Sequence, residues 1–183
     1  MKKAEIWDKM NIFLYRNSEI VPYIKCSVDP KRLDYVISLV ASRKKIAGID
    51  RRGIHQYRED LEDDGHEYFD LPTVERVAMM LVQYAALFDL GVNQFKRSRY
   101  CRDSYGLKHA FEAFSEKLGH DPYYVANGDF IAAYLLFLHD MQGASPEELG
   151  KCIVTNDWSI NAGIRLPSSF EKFETAIRNP NWF

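Results

Sequence analysis

Apolar residues recur at intervals of three and four along most of this chain, the spacing of one buried helix face. Residues 3–16 place Ile6, Met10, Phe13 and Leu14 on one such face. Asp29-Pro30 reads as an N-cap followed by proline at the first helical position, and Leu33, Val36, Ile37 and Val40 form the stripe behind it. Gly48 is expected at or just beyond the end of that helix. A second stripe runs through Val74, Val77, Ala78, Leu81, Ala85 and Phe88, with Thr73 as its expected cap and Gly91 as its C-terminal stop. Asp103 or Ser104 caps a third helix, which carries Leu107, Ala110, Phe111, Phe114 and Leu118 inward. Residues 130–138 are apolar on every side. A helix without a polar face belongs in the centre of a fold. Asn127-Gly128-Asp129 is expected to form a turn leading into it. Ser145-Pro146-Glu147-Glu148 and Ser168 with Glu171 carry helix-start patterns. Only residues 123–126 and 152–155 read as strands.

The pattern predicts a mainly α protein: a single helical domain of about six helices over residues 1–183, with a small β-hairpin and a charged loop or insert at about 43–70. No linker long and polar enough to separate domains interrupts the chain, although an arrangement in two halves split at that insert is the alternative.

Composition narrows the class without naming a reaction. The chain has 183 residues, 46% apolar and 27% charged, with a formal net charge of −2, as expected of a globular domain. No apolar run approaches the roughly 18 residues of a membrane span. Met1-Lys2-Lys3-Ala4-Glu5 has no apolar segment behind its lysines, so no signal peptide is expected. Cys26, Cys101 and Cys152 are few and scattered, which favours free thiols and a cytoplasmic setting.

Charge, by contrast, is strongly segregated. Residues 43–58 carry a net +5, residues 59–70 a net −7, and residues 96–108 a net +4. Lys96, Arg97, Arg99 and Arg102 stand beside Phe95 and Tyr100. Cations neutralise phosphates and a tyrosine ring stacks on an unpaired base, so this block is the first candidate contact for an anionic partner. Its bland alternative is a solvated connecting loop. In the other basic block the helix end explains Arg43, Lys44 and Lys45 through the macrodipole, whereas Arg51 and Arg52 have no such explanation and join the candidates. The two blocks gain meaning together only if the fold brings them to one place.

Lys108, His109 and Glu112 form a second candidate cluster, with His109 and Glu112 one helical turn apart. The default for the three is hydrogen bonding between helices. The acidic block 59–70 lacks the glutamate an EF-hand needs after its glycine, and there is no Walker loop, dinucleotide fingerprint or serine elbow. Cys101 lies among cations that favour a thiolate, but His109 is too far along the helix to pair with it. No catalytic residue, metal site or cofactor is assigned.

Ser104-Tyr105-Gly106-Leu107-Lys108-His109-Ala110-Phe111-Glu112, followed by Tyr124-Val125-Ala126-Asn127-Gly128-Asp129-Phe130-Ile131-Ala132-Ala133, resembles a pattern in small helical proteins of phages and mobile elements. The resemblance covers about 30 residues and implies a mobile-element setting but no reaction. In it, Gly106 would permit a close approach or an unusual turn.

The leading expectation is therefore a non-enzymatic binding protein. Its partner would be a host protein or nucleoprotein complex, or a nucleic acid, and inhibition of host defence in the manner of an anti-CRISPR is one concrete form. The alternatives are a metal- or histidine-dependent hydrolase or nuclease using His109 and Glu112, and a helical homodimeric scaffold anchored by Trp158, Trp182 and Phe183.

Overall fold

The computed structural model describes residues 28–62, 68–99, 101–117, 124–155 and 159–177. The expected helix at 3–16, Cys26, Tyr100, Trp158, Trp182 and Phe183 lie outside them. Among the described residues the chain is mainly helical, with eight α-helices and two small antiparallel sheets.

Asp29 accepts a hydrogen bond from the Lys31 N–H at 3.0 Å and opens helix α1 (Pro30–Lys44), whose buried face is Leu33, Val36, Ile37 and Val40. The helix ends on Lys45, which takes the left-handed conformation (φ 56°) and donates its N–H to the Ala41 carbonyl. Gly48, expected at or beyond the end of the helix, lies four residues past Lys44 and begins a strand. The charged insert is largely folded: β1 (Gly48–Asp50) pairs with β2 (Gly53–His55), with Ile49 opposite Ile54, and α2 (Arg58–Glu62) follows.

Helix α3 (Leu71–Phe88) is capped by Asp70. Thr73, expected as the cap, lies inside the helix and donates its hydroxyl to the Asp70 carboxylate at 2.9 Å. Asp89, with φ 54°, closes the helix, and Gly91 starts the next one, α4 (Val92–Arg97). Strand β3 (Cys101–Asp103) leads into α5 (Ser104–Lys117), where the Asp103 carboxylate accepts the first free N–H groups, from Tyr105 at 3.0 Å and Gly106 at 3.3 Å. Among the described residues nothing beyond its own helix lies within 4 Å of a Cβ built at Gly106, so the expected close approach is not seen there.

Residues 124–126 are loop rather than strand. Asn127-Gly128-Asp129 is not a turn but the first turn of α6 (Asn127–Leu136), which continues as a π-turn over Phe137–Met141. Every residue of α6 is buried. It is the axis of the molecule, packed against α1, α3, α5 and the β1–β2 hairpin. Helix α7 (Pro146–Cys152) starts at the expected cap and proline, and the structure adds a capping box: Ser145 Oγ accepts from the Glu148 N–H, and the Glu148 carboxylate accepts from the Ser145 N–H. It runs into β4 (Ile153–Val154), which with β3 flanks β5 (Gly163–Arg165) in the order β3-β5-β4. Helix α8 (Ser169–Ile177) returns Phe170 and Phe173 to an aromatic cluster with Tyr84, Phe111 and Phe114. No helix among the described residues is long and apolar enough to cross a membrane.

Candidate functional site

The ends of three helices and one strand meet around a cavity of about 350 Å³ lined by Lys44, Lys96, Gly150, Lys151, Ile153, Val154 and Arg165. Lys44 is the last residue of α1, Lys96 stands in the last turn of α4, Lys151 in the last turn of α7, and Arg165 ends β5. Both basic segments noticed in the sequence therefore contribute a cation to one wall: Lys44 from the first and Lys96 from the second. Arg43 adds a third neighbour. Its side-chain Cγ would come within 3.1 Å of a Cβ at residue 150, so glycine there lets the arginine stem lie across α7.

The four lining cations are not equivalent. Lys96 donates to Glu148, which holds that carboxyl down to about 2 together with the Ser145 N–H. Lys151 pairs with Glu147 at 2.6 Å, one turn back on the same helix. Arg165 donates Nη1 to the Ser98 carbonyl at 2.7 Å and has no carboxylate partner among the described residues. Lys44 has none either, and its ammonium is depressed below the usual lysine range, first by burial and then by the nearby Arg165 charge. Two like charges face one cavity whose lining, among the described residues, holds no carboxylate, an arrangement that favours an incoming anion. The helix ends give Lys44, Lys96 and Lys151 a structural reason to be cationic. Arg165, on a strand, has no such reason.

The other candidates sit elsewhere. Arg97 and Arg99 are exposed, and Tyr100 lies outside the described residues. Arg102 donates to the buried Glu174 carboxylate on α8 at 2.8 Å and so ties β3 to that helix. Arg51 and Arg52 do have structural roles, contrary to the sequence reading. Arg52 clamps the Asp50 carboxylate with Nη2 at 2.8 Å and Nε at 3.1 Å, and donates its backbone N–H at 2.8 Å. Asp50 is buried and also contacts His55 Nε2 at 2.8 Å. Burial alone would raise its carboxyl; the hydrogen bonds from Arg52 and His55 outweigh that and hold it below the usual range. Arg51 reaches Asp129 at 3.2 Å.

Lys108, His109 and Glu112 do come together, as a clamp on the approach to α6. Lys108 is buried, donates to the Val125 carbonyl at 2.9 Å, and lies 4.6 and 4.2 Å from the ring centroids of Tyr105 and Tyr124. His109 Nδ1 meets one Glu112 oxygen at 2.6 Å, and the other oxygen accepts the Val125 N–H at 2.9 Å. Among the described residues no three His, Cys, Asp or Glu side chains converge on a metal position. Cys101 is exposed, yet partial burial raises its thiol ahead of the opposing Arg165 charge, against the thiolate expected from its cationic neighbours.

Sequence reasoning missed Lys151 and Arg165, and explained Lys44 by the helix end alone. Lys151 and Arg165 are each an isolated cation in its own segment, and only the packing of α1, α4, α7 and β5 brings them to Lys44 and Lys96. It also missed the buried carboxylates Asp50 and Asp129. No protein family, curated protein or solved structure matches the chain.

Proposed function

We propose that this chain is a non-enzymatic binding protein whose partner is a nucleic acid, engaged through its phosphates at the cationic cavity. The observation that carries the reading is the convergence of Lys44 and Lys96, from two separate basic segments, with Lys151 and Arg165 on one cavity of about 350 Å³ that has no carboxylate among the described residues of its lining. Exposed Arg97 and Arg99 stand one and three residues after Lys96 in the chain and add cations to that segment, outside the cavity lining. Lysine and arginine at such a surface neutralise backbone phosphates and displace condensed counterions, which supplies affinity without reading sequence.

The phage-like residues 104–112 and 124–133 add the setting: a mobile-element protein acting on a nucleic acid or on a host complex that handles one. Inhibition of host defence is one form of that action. The His109–Glu112 pair is engaged with itself and with the Val125 backbone, so the hydrolase alternative receives no support from geometry.

Fluorescence anisotropy with labelled single-stranded and duplex DNA and RNA, repeated over a range of salt, tests the reading. Expected is binding whose log K falls linearly with log salt, with a slope reduced by about one for each cation removed in Lys44→Gln or Lys151→Gln. Absence of binding to all four at low salt would overturn it.

A further inference from the structure

We infer that the cavity is built for a phosphomonoester, the terminal phosphate of a nucleic-acid strand or of a phosphorylated small molecule, rather than for a phosphodiester within a chain. The inference deepens the nucleic-acid reading and rests on it for the identity of the larger ligand.

The reasoning is one of charge balance. Of the four lining cations, Lys96 and Lys151 already have carboxylate partners in Glu148 and Glu147. Lys44 and Arg165 have none among the described residues, and they are close enough for the arginine to depress the lysine. A single negative charge offsets only one of them. A phosphomonoester carries about −1.5 to −2 at neutral pH, which matches the pair, and a phosphodiester carries one. The guanidinium presents planar donors suited to two phosphate oxygens, and the ammonium is a point charge suited to a third. One Arg165 nitrogen, Nη1, is held by the Ser98 carbonyl, which fixes the guanidinium in place beforehand.

The dimensions agree. The cavity has room for more than a phosphate group, and among the described residues its remaining lining is Ile153, Val154 and Gly150. Val154 is half-exposed on β4, an edge strand of the three-stranded sheet, where an attached sugar or base would lie on an apolar side chain. Phosphate at the cations and an apolar wall beside it is the division of labour expected of a site for a phosphorylated group.

The experiment compares one short oligonucleotide in three forms, with a 5′-phosphate, with a 3′-phosphate and with hydroxyls at both ends, together with inorganic phosphate and a nucleoside monophosphate as competitors. The full chain is used throughout. Expected is about tenfold tighter binding of at least one phosphorylated form than of the hydroxyl form. Lys44→Met should abolish that preference and Lys44→Arg should retain it, with circular dichroism confirming that both fold. Equal binding of all three forms by the parent protein would overturn the inference while leaving the nucleic-acid reading standing. Binding of inorganic phosphate or the monophosphate, with no oligonucleotide bound, would uphold the phosphomonoester site and overturn the nucleic-acid reading. No binding of any probe would overturn both.

Discussion

Gly128 lies so close to the backbone of Asp50 that a Cβ built on it would stand 1.7 Å from the Asp50 carbonyl oxygen and 2.7 Å from the carbonyl carbon of Arg51. The Gly128 N–H donates to the Arg51 carbonyl at 2.9 Å. The first turn of the central helix is thereby pressed onto the turn of the β1–β2 hairpin, backbone on backbone. No side chain can move aside to admit a methyl group there. Gly128→Ala is therefore expected to cost about 4 kcal/mol or more, the range reserved for disruptions of this kind. Gly106→Ala is the control. It stands in a helix with open space around it, so alanine should be neutral or stabilising by about 0.5–1 kcal/mol. Thermal unfolding of the two variants would check the contrast. A mild effect at Gly128 would mean that the helix and hairpin do not meet as closely as described.

Asp129, next along α6, ties the same junction electrostatically. One carboxylate oxygen accepts the Asp70 N–H at 3.0 Å and the other meets Arg51. Even so, burial dominates these contacts and raises the carboxyl from its ordinary 3.8 to about 6. A carboxyl raised on folding favours the folded state while protonated, so its contribution is greatest below about pH 4 and is lost as the pH rises to about 6. A difference of about two pH units corresponds to roughly 3 kcal/mol. Asp129→Asn keeps an acceptor for the Asp70 N–H and cannot ionise. Relative to the parent, it should gain about 2–3 kcal/mol of stability between about pH 4 and 7. Urea unfolding at several pH values would measure it. No change in that difference would mean that Arg51 fully compensates the buried charge.

These two residues also show where the sequence was legible and where it was not. Helix starts were readable at Asp29-Pro30 and Ser145-Pro146, because a cap and a fixed proline φ act within a few residues. The residues that close the helices were not. Lys45 and Asp89 take left-handed conformations that glycine adopts more easily. At Asp89 that geometry lets the Asp89 and Leu90 N–H groups reach the Ala86 and Ala85 carbonyls. Asn127-Gly128-Asp129 looked like a turn by local preference, and its role in gripping the hairpin depends on residues some 75 positions away. The cavity was least legible of all. Two of its cations, Lys151 and Arg165, stand alone in their segments, and no local rule joins Lys44 to Arg165.

Leu135 belongs to the run whose apolar character all round placed it at the centre of the fold, and it is fully buried. An aspartate there would be an unpaired charge surrounded by hydrocarbon. Leu135→Asp should therefore prevent folding at ordinary temperature, at a cost of several kcal/mol. Loss of the cooperative thermal transition is the expected reading. A folded variant with a transition within a few degrees of the parent would show that this helix is less enclosed than described.

The arginines after Lys96 divide into two kinds, and substitution should separate them. Arg97 and Arg99 are exposed. Their removal in Arg97→Ala with Arg99→Ala should leave the thermal midpoint within about a degree or two, because exposed charges contribute little to stability. If both contact phosphates, nucleic-acid binding should weaken, and the salt slope should fall by about two. Arg102 differs because its partner Glu174 is buried, with relative exposure of 8%. Arg102→Ala strips a partner from that carboxylate while leaving it in place. Breaking a buried pair from one side costs about 3 kcal/mol, and here somewhat less, since the arginine is about a third exposed. A clear drop in the thermal midpoint is expected, with the salt slope unchanged for the protein that remains folded. If Arg102→Ala instead flattened the salt slope without lowering the midpoint, Arg102 would belong to the binding surface and its contact with Glu174 would be incidental.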